Sequence, residues 1–265
     1  MTASRFDTDN PFFSASLEDD VLVVRDKEAI IRHTTDLSVT DAFFDYMEAV
    51  AHDPGIRAVV FFGSPHKPGG METIHFYRQV MQARREHYFL ERLFNLVNTY
   101  TVALTGFEKI TIRAECGRVS SFHLNMGLAC DYRIVSDDAV FENASSELGL
   151  VTKGGGAYFL SRLVGYRAAS QVLMWNRFSA EEALNLGIVD RVVPRDKIDE
   201  ETMRFARTQL TRPVSALIGV RKLLKADVEA LKKSLAIEDQ LIHNRLNHPD
   251  FPGQLDEYLN AHTGD

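Results

Sequence analysis

Apolar runs of strand length alternate with amphipathic segments of helix length over the first two-thirds of this 265-residue chain. Residues 39–53 carry Phe43, Met47 and Val50 on one helical face and end in an Asp-Pro-Gly stop. The next segment, 57–63, is a continuous apolar run that ends in glycine, which is typical of a strand buried on both faces. Because strands that alternate with helices usually pair in parallel, this pattern predicts an α/β fold.

The rest of the chain extends the same pattern. We expect a loose polar arm over residues 1–20, a core over 21–200 and a helical C-terminal region over 201–265, with no linker that would separate two domains. The other predicted elements are strands over 21–25, 28–33, 110–117, 132–136 and 188–193, and helices over 72–104, 120–131 and 179–187, with one more after 153–156.

The C-terminal third contains an apolar stripe at steps of three and four residues. Its members are Leu217, Val220, Leu224, Val228, Leu231 and Leu235. A stripe of this kind is too apolar to remain in water, so we expect it to pack on the core or on a neighbouring subunit.

Composition excludes several classes of protein. The net charge of −7 argues against a nucleic-acid binder, which needs a basic surface. The start of the chain lacks a basic segment followed by an apolar one, and no run approaches the roughly 18 apolar residues of a membrane span, so we expect a cytoplasmic protein without membrane contact.

Cys116 and Cys130 fit no zinc or redox motif and are expected to be buried thiols. The histidines are scattered, and those of 243–248 are five residues apart, so no metal site is expected.

Two segments, 59–72 and 111–127, each run from a strand through a glycine or polar turn into a helix. The first N–H groups of a helix have no backbone partner and lie at the positive end of its dipole. Two such N–H groups from different loops could converge as an oxyanion hole. Glycine turns are common, however, and either segment alone could be an ordinary turn.

The order of short motifs along the chain is more specific than either turn. They are Gly63-Ser64, Cys116-Gly117, Ala129-Cys130-Asp131, Arg133-Ile134, Asp138-Ala139-Val140-Phe141, Leu148-Gly149-Leu150-Val151, Gly154-Gly155-Gly156, Leu163-Val164-Gly165, Phe178-Ser179-Ala180-Glu181-Glu182-Ala183 and Gly187-Ile188-Val189. With this series the chain resembles the crotonase (enoyl-CoA hydratase/isomerase) superfamily, over residues 20–262 and most closely over 116–194.

The resemblance implies a spiral of ββα units with a helical C-terminal region that forms homotrimers or hexamers. It also implies an acyl-CoA thioester substrate, whose carbonyl is held in an oxyanion hole, and no cofactor besides the CoA of the substrate. Carried over by position, the first N–H donor is Gly69 or, since this loop is one residue shorter than usual, Gly70. The second is Phe122. Gly69, Gly70 and Met71 are then expected to contact the CoA ester.

The chain departs from the family pattern at the acid and base positions. The hydratases use two glutamates, and the positions that match them are Asn125 and Ser145. Neither an amide nor a hydroxyl titrates near neutral pH, so the ordinary hydratase mechanism is not expected. Where the family has three glycines this chain has Ser-Phe-His at 121–123, which keeps the backbone donor and changes the shape of the pocket.

Other side chains could replace the missing carboxylates. Glu142 follows Phe141 where the family has a small residue; it either points at the pocket or forms an ion pair, for example with Arg113. His66 in the first loop and His123 beside the second donor could transfer protons, or could be an exposed loop residue and a hydrogen-bonded helix residue.

Several further residues have plainer interpretations. Glu147 is interpreted as solvated, Glu115 as an ion-pair partner of Arg113 or Lys109, and Trp175 as a packing residue. His75 and Tyr77 could line the acyl pocket or pack in the core.

Two functions are therefore open. The first is an acyl-CoA enzyme that depends on its oxyanion hole and catalyses isomerisation, hydrolysis, decarboxylation or hydration with a variant set of acid and base groups. The alternative is a binding or assembly protein that kept the fold and lost the catalysis. Conversion of CoA esters distinguishes the two.

Overall fold

A computed structural model describes residues 4–27, 37–82, 88–224 and 227–262, except for the side chains of 37–40. Its strands are β1 (Thr8–Asp9), β2 (Phe13–Glu18), β3 (Val21–Asp26), β4 (Ala58–Phe62), β5 (Ile110–Glu115), β6 (Arg118–Ser120), β7 (Tyr132–Ser136), β8 (Val140–Glu142), β9 (Arg177–Ser179) and β10 (Arg191–Val193). Its helices are α1 (Leu37–His52), α2 (Gly70–Gln82), α3 (Tyr88–Gly106), α4 (Ser121–Leu128), α5 (Gly156–Leu163), α6 (Gly165–Val172), α7 (Ala180–Asn185), α8 (Ile198–Leu210), α9 (Val214–Leu224), α10 (Val228–Leu246) and α11 (Phe251–Ala261), with 3₁₀ segments at Ala144–Leu148 and Arg195–Lys197.

The larger sheet explains the continuous apolar run of the fourth strand. Its order is β1-β2-β3-β4-β5-β7-β10, and the pairs from β3 to β10 are parallel. Alternate residues of β4 enter two different cores: Val59 and Phe61 pack on one face, while Val60 and Phe62 pack on the other. Since successive side chains of a strand point to opposite faces, a strand covered on both sides has to be apolar throughout.

A smaller sheet, in the order β6-β8-β9, connects the second predicted loop to residue 142. β8 pairs in parallel with β6, so that Glu142 lies opposite Ser120, and antiparallel with β9, so that Glu142 also lies opposite Arg177. Helices follow the sheet strands in ββα units, and the last helices form a C-terminal layer. The predicted α/β fold, a crotonase-like spiral of ββα units with C-terminal helices, is confirmed.

The N-terminal segment differs from its prediction. Residues 13–18 form β2, which pairs along its whole length with β3, so they are part of the sheet and not a loose arm. The arm prediction rested on the polar residues of this segment; they are compatible with a sheet strand because Phe13 and Ala15 alternate inwards. The strand predicted over 28–33 lies outside the described residues.

Two long helical predictions are divided in the structure. The segment 72–104 comprises parts of α2 and α3. The C-terminal apolar stripe is shared between α9 and α10, where its members differ in environment: Leu231 and Leu235 are fully buried, while Val220 and Leu224 are 56% and 79% exposed. Leu217 and Val228 are partly buried, so two of the six stripe residues are exposed in this chain.

Candidate active site

The two predicted loops lie at the same edge of the larger sheet. One follows β4 and leads into α2, and the other follows β5 and leads through β6 into α4. Because β4 and β5 are parallel neighbours, their carboxyl ends meet, and both helices begin beside them. This is the arrangement that could bring first-turn N–H groups of the two helices together.

The Glu142 carboxylate occupies the beginning of α2. The N–H of Gly70, the first residue of that helix, donates to Oε2 of Glu142 at 2.9 Å. Arg118 Nε lies 3.1 Å from Oε1, and Arg177 Nη2 lies 3.0 Å from the same oxygen. The Glu142 side chain is only 8% exposed. Glu142 is thus ion-paired, with Arg118 and Arg177; the suggested pairing with Arg113 is wrong, because Arg113 is bound to Glu115 and Asp26.

Gly69 is required at the turn before α2. Its φ of +65° is in the left-handed region that favours glycine. A Cβ built on it would lie 2.1 Å from Oε2 of Glu142 and 2.9 Å from Nε of Arg118, so any larger residue would displace the ion pair. The carboxylate is therefore packed directly against the loop in which the first oxyanion donor was expected.

Phe122 lies in the first turn of α4, where its N–H has no carbonyl partner within the helix. Ser120 caps this helix by accepting a hydrogen bond from the N–H of His123. The Phe122 ring is 4% exposed and belongs to the apolar cluster that contains Ile74, Phe94 and Val97. The ring therefore fills space between α2, α3 and α4 that glycine would leave open.

The two candidate histidines have opposite environments. His66 is exposed in the first loop. His123 is buried; its Nδ1 is 2.8 Å from Ser120 Oγ and its Nε2 is 3.8 Å from Glu72 Oε2. Burial, with smaller contributions from the cations Lys67 and Arg113, holds the pKa of His123 well below its usual value, so the ring is neutral at pH 7.

The two residues that the resemblance matches to the hydratase glutamates, Asn125 and Ser145, form structural contacts. Asn125 donates from Nδ2 to the Thr152 hydroxyl at 2.5 Å and to the Lys153 carbonyl at 3.0 Å, which ties α4 to the glycine-rich loop before α5. A Cβ on Gly156 would lie 2.5 Å from the Asn125 amide oxygen, so the fit is tight. Ser145 is buried in the 3₁₀ segment, where its carbonyl accepts the N–H of Leu150.

A buried charged cluster beside the first loop could be predicted only in part. Glu115 pairs with Arg113, as predicted, and also with Lys67; Arg113 reaches Asp26 at 2.7 Å. The alternative partner Lys109 instead donates to the carbonyl of Asp53. Burial and the nearby Arg113 lower the pKa of Lys67 to about 7.

A second buried cluster of charged residues, around Glu238 on α10, was not predicted from the sequence. Glu238 on α10 accepts hydrogen bonds from the N–H groups of Gly154 and Gly155 at 2.9 and 3.1 Å, and Lys153 lies 2.7 Å from Asp239 and 3.8 Å from Glu238. Burial raises the pKa of Glu238 to about 7, although Lys153 and the two N–H groups oppose the shift. The three glycines after a lysine were the available signal for an acceptor, but the sequence does not say which residue supplies it.

The remaining candidates occupy ordinary positions. Glu147 is exposed, as predicted, and His75 is half-buried on α2. Tyr77 is buried in the apolar cluster around α2 and α3. Trp175 packs against Phe178 with the ring centres 5.9 Å apart. Cys116 and Cys130 are free buried thiols, as predicted.

An open pocket adjoins the Glu142 carboxylate. Its wall includes Gly70, Met71, Arg118, Glu142, Arg177 and Tyr258, the last from α11. Within the described part of the chain, no group of three or more His, Cys, Asp or Glu residues could hold a metal ion. None of the described helices is both long and apolar enough to cross a membrane. The chemistry available at this pocket is that of backbone N–H groups, two guanidinium groups, the buried Glu142 and exposed Glu147 carboxylates, the Tyr258 hydroxyl and the His262 imidazole.

Comparison with known proteins agrees with the fold. The chain is similar to 4-chlorobenzoyl coenzyme A dehalogenase-1 and -2 of Arthrobacter sp, each 32% identical over 155 residues. That match covers 57% of this chain and 56% of each relative, so the chain aligns with little more than half the length of these curated relatives.

Solved structures extend the likeness to nearly the whole chain. An enoyl-CoA hydratase from Bacillus halodurans superposes with a TM-score of 0.79 at 19% identity, over 93% of this chain and 99% of that one. One from Mycobacterium avium subsp. paratuberculosis K-10 gives 0.73 at 22% identity, over 96% and 97%. The model of the enoyl-CoA hydratase/isomerase family matches residues 32–263. The chain belongs to the enoyl-CoA hydratase/isomerase family.

Proposed function

We propose that this chain is an enzyme that binds an acyl-CoA thioester and moves a proton on the carbon next to the thioester carbonyl. In this proposal the N–H groups of Gly69 and Phe122 hold the carbonyl oxygen, and the Glu142 carboxylate takes and returns the proton. One observation carries the proposal: a buried carboxylate is fixed against the loop of the expected oxyanion donor.

The position of Glu142 relative to both loops supports this role. Its backbone lies opposite Ser120, the N-cap of α4, while its carboxylate touches the Gly69–Gly70 turn before α2. Glu142 therefore adjoins the N-cap of α4 through its backbone and the turn before α2 through its carboxylate. Either Gly69 or Gly70 could be the first N–H donor. Because the N–H of Gly70 already donates to Glu142, the N–H of Gly69 is the one left for a thioester oxygen.

The proposed step needs no second carboxylate. Glu142 removes a proton from the carbon next to the carbonyl, and the electron pair of that C–H bond moves onto the carbonyl oxygen, where the two N–H groups stabilise the negative charge. Glu142 then returns the proton, either to the same carbon or to the far carbon of a conjugated enolate. Double-bond migration follows from the second choice, so isomerisation fits this site better than hydration, for which Asn125 and Ser145 provide no carboxylates.

Deuterium exchange tests the proposal directly. The protein is incubated with butyryl-CoA in D₂O, and incorporation at the carbon next to the carbonyl is followed by mass spectrometry. Glu142→Gln keeps an oxygen for the Gly70 N–H but removes the basic carboxylate, so we expect exchange to fall by about 10²–10⁴-fold. Glu257→Gln, a change of an exposed carboxylate on α11, is the matched control and should exchange at the wild-type rate.

Circular dichroism must show that both variants are folded. Exchange that survives in folded Glu142→Gln would contradict the role of Glu142. A Glu142→Asp variant, which keeps the charge on a shorter side chain, should retain more exchange than Glu142→Gln if the carboxylate is the base.

The alternative function, a binding or assembly protein without catalysis, is favoured by two specific observations. The Gly70 N–H is already occupied by a protein carboxylate, and the Phe122 ring fills space where the family pattern has glycine. This alternative predicts that folded wild-type protein exchanges no deuterium and converts no member of a panel of CoA esters, even where thermal-shift measurements detect binding.

A further inference from the structure

Two guanidinium groups, those of Arg118 and Arg177, lie on the wall of the pocket beside Glu142. Arg118 and Arg177 both bind the same carboxylate oxygen, at 3.1 and 3.0 Å. Glu142 is 8% exposed, and among the described residues it is the carboxylate with which both arginines form their ion pairs. Glu147 and His262 also line the pocket, and among the described contacts neither forms an ion pair with these two arginines.

The two arginines keep donors available for a ligand. Arg118 binds Glu142 through Nε, and within the described residues neither of its terminal nitrogens has a hydrogen-bond acceptor. In the described part of the chain, Arg177 donates from one terminal nitrogen only. Their side chains are 41% and 67% exposed, so their free N–H groups are accessible from the pocket. A planar guanidinium with two adjacent free N–H groups matches the geometry of a carboxylate.

The arginines are also held in place before any ligand binds. Glu142 fixes both, and it is itself fixed by the Gly70 N–H. Tyr258 lines the same pocket, and burial, with the nearby Glu147 and Glu142, raises the pKa of its hydroxyl, which stays protonated and able to donate. A ligand group that accepts several hydrogen bonds and carries negative charge would satisfy these donors at small entropic cost.

We infer that Arg118 and Arg177 bind a carboxylate on the acyl group of the substrate, so that the preferred substrates are acyl-CoA thioesters with an acidic acyl chain. This inference rests on the proposed function, because it takes the pocket beside Glu142 as the place of the acyl group. The same donors could bind a phosphate of CoA, and the experiment separates the two sources.

Matched pairs of esters test the inference. Affinities for glutaryl-CoA and valeryl-CoA, which have the same number of acyl carbons and differ in the terminal carboxylate, are measured by isothermal titration calorimetry, together with free CoA. A charge-assisted hydrogen bond contributes about 1.5–3 kcal/mol, so we expect wild-type protein to bind glutaryl-CoA at least about 10-fold more tightly than valeryl-CoA. Arg177→Gln should abolish this preference, and Arg177→Lys should keep part of it. Arg204→Gln, at an exposed arginine of α8 that pairs with Glu201, is the control and should keep the full preference.

Each other outcome overturns the inference in a recognisable way. Equal binding of the two esters by wild type overturns it and leaves the proposed function intact if valeryl-CoA still exchanges deuterium through Glu142. If Arg177→Gln weakens glutaryl-CoA, valeryl-CoA and free CoA alike, the arginines bind a phosphate of CoA. If neither ester binds, the inference and the proposed function both fail.

Discussion

The backbone N–H of Gly70 and the carboxylate of Glu142, 72 residues apart in the chain, form a buried hydrogen bond of 2.9 Å. A carboxylate at the first turn of a helix is stabilised by the free N–H groups and by the helix dipole. Here the same contact fixes a carboxylate at the turn where the family resemblance predicts the first oxyanion donor. The interaction thus joins helix capping to the proposed chemistry, and the identity of residue 142 matters to both.

Phe122 offers a test of the second donor. Phe122→Ala and Phe122→Pro both remove the buried ring, at a cost in stability of about 3–5 kcal/mol, and differ in whether the backbone N–H remains. Proline is tolerated in the first turn of a helix, because the N–H groups there have no helical partner. We expect Phe122→Ala to keep much of its deuterium exchange with altered preference for acyl groups, while Phe122→Pro loses about 10²–10³-fold, which is typical of a lost oxyanion donor.

The comparison of these variants requires that both are folded, as judged by circular dichroism at a temperature below their lower melting points. A folded proline variant with the exchange rate of Phe122→Ala would show that Phe122 is not a donor. Both variants leave the same cavity in place of the ring, so a difference between their exchange rates reports on the backbone N–H group.

The ion-pair partners of Glu142 could not be predicted from the sequence. The family pattern left two possibilities for Glu142, a position at the pocket or an ion pair, and the structure shows both. Its partners could not be inferred from that pattern, since Arg177 faces it only through the antiparallel register of β8 and β9, and Arg118 only through the parallel register of β6 and β8. Cross-strand neighbours depend on register, which in these three-residue strands no local pattern specifies.

The remaining predictions succeeded where the sequence pattern is local and failed where a contact depends on distant segments. The pairing of Glu115 with Arg113 was predictable, because residues two apart share a face of a strand, whereas Lys67 reaches Glu115 from a loop. The fold itself was predictable to a greater extent, because the buried apolar run at 58–62 and the motif order each constrain long stretches. The polar segment 13–18 gave no comparable signal, and its position in the sheet depends on pairing with β3.

Asn125 allows a test of whether the hydratase chemistry can be restored. We expect wild-type protein to hydrate crotonyl-CoA about 10²–10⁴-fold more slowly than a two-glutamate hydratase, for want of general acid and base groups. Asn125→Glu should not recover this activity. It removes the donor to the Thr152 hydroxyl and the Lys153 carbonyl and puts a charge in their place, with a loss in the free energy of unfolding of about 1–3 kcal/mol or more.

Hydration is followed by the loss of absorbance of the conjugated thioester, and unfolding by urea denaturation. Wild-type turnover on the order of 10² per second, above the ~10 per second of a typical enzyme, would contradict the assignment of positions 125 and 145. Recovery of hydration in a stable Asn125→Glu variant would show that the site keeps the geometry of a hydratase.

The exposed apolar residues of α9, two of them from the C-terminal stripe, predict self-association. Val220, Leu223 and Leu224 on α9 are 56%, 80% and 79% exposed in the single chain, and apolar side chains grouped in this way usually mark an interface. We expect a trimer or hexamer with closed symmetry. Multi-angle light scattering at micromolar concentration should give such a mass for wild type and a smaller one for Leu223→Asp/Leu224→Asp. A stable wild-type monomer would exclude this role of α9.

Glu238 predicts a pH dependence of stability with a definite sign. Its ordinary pKa is 4.5, and burial raises it to about 7 in the folded chain. Between these values the folded protein binds a proton that the unfolded protein has released, so the contribution of Glu238 to the free energy of unfolding is complete below pH 4.5 and is lost as the pH rises through 7. The loss amounts to about 3 kcal/mol. Glu238→Gln keeps an oxygen for the N–H groups of Gly154 and Gly155 but cannot titrate.

Urea denaturation of wild type and Glu238→Gln at pH 5 and pH 8 isolates this contribution, because all other titrating groups are common to the two proteins. The stability of wild type relative to Glu238→Gln should be lower at pH 8 than at pH 5, by an amount on the order of 3 kcal/mol. Glu257→Gln, at an exposed site, should show no such change. The opposite result would be a wild-type free energy of unfolding that rises with pH relative to that of Glu238→Gln. It would mean that Lys153 and the two N–H groups outweigh burial, so that Glu238 is charged in the folded protein throughout this range.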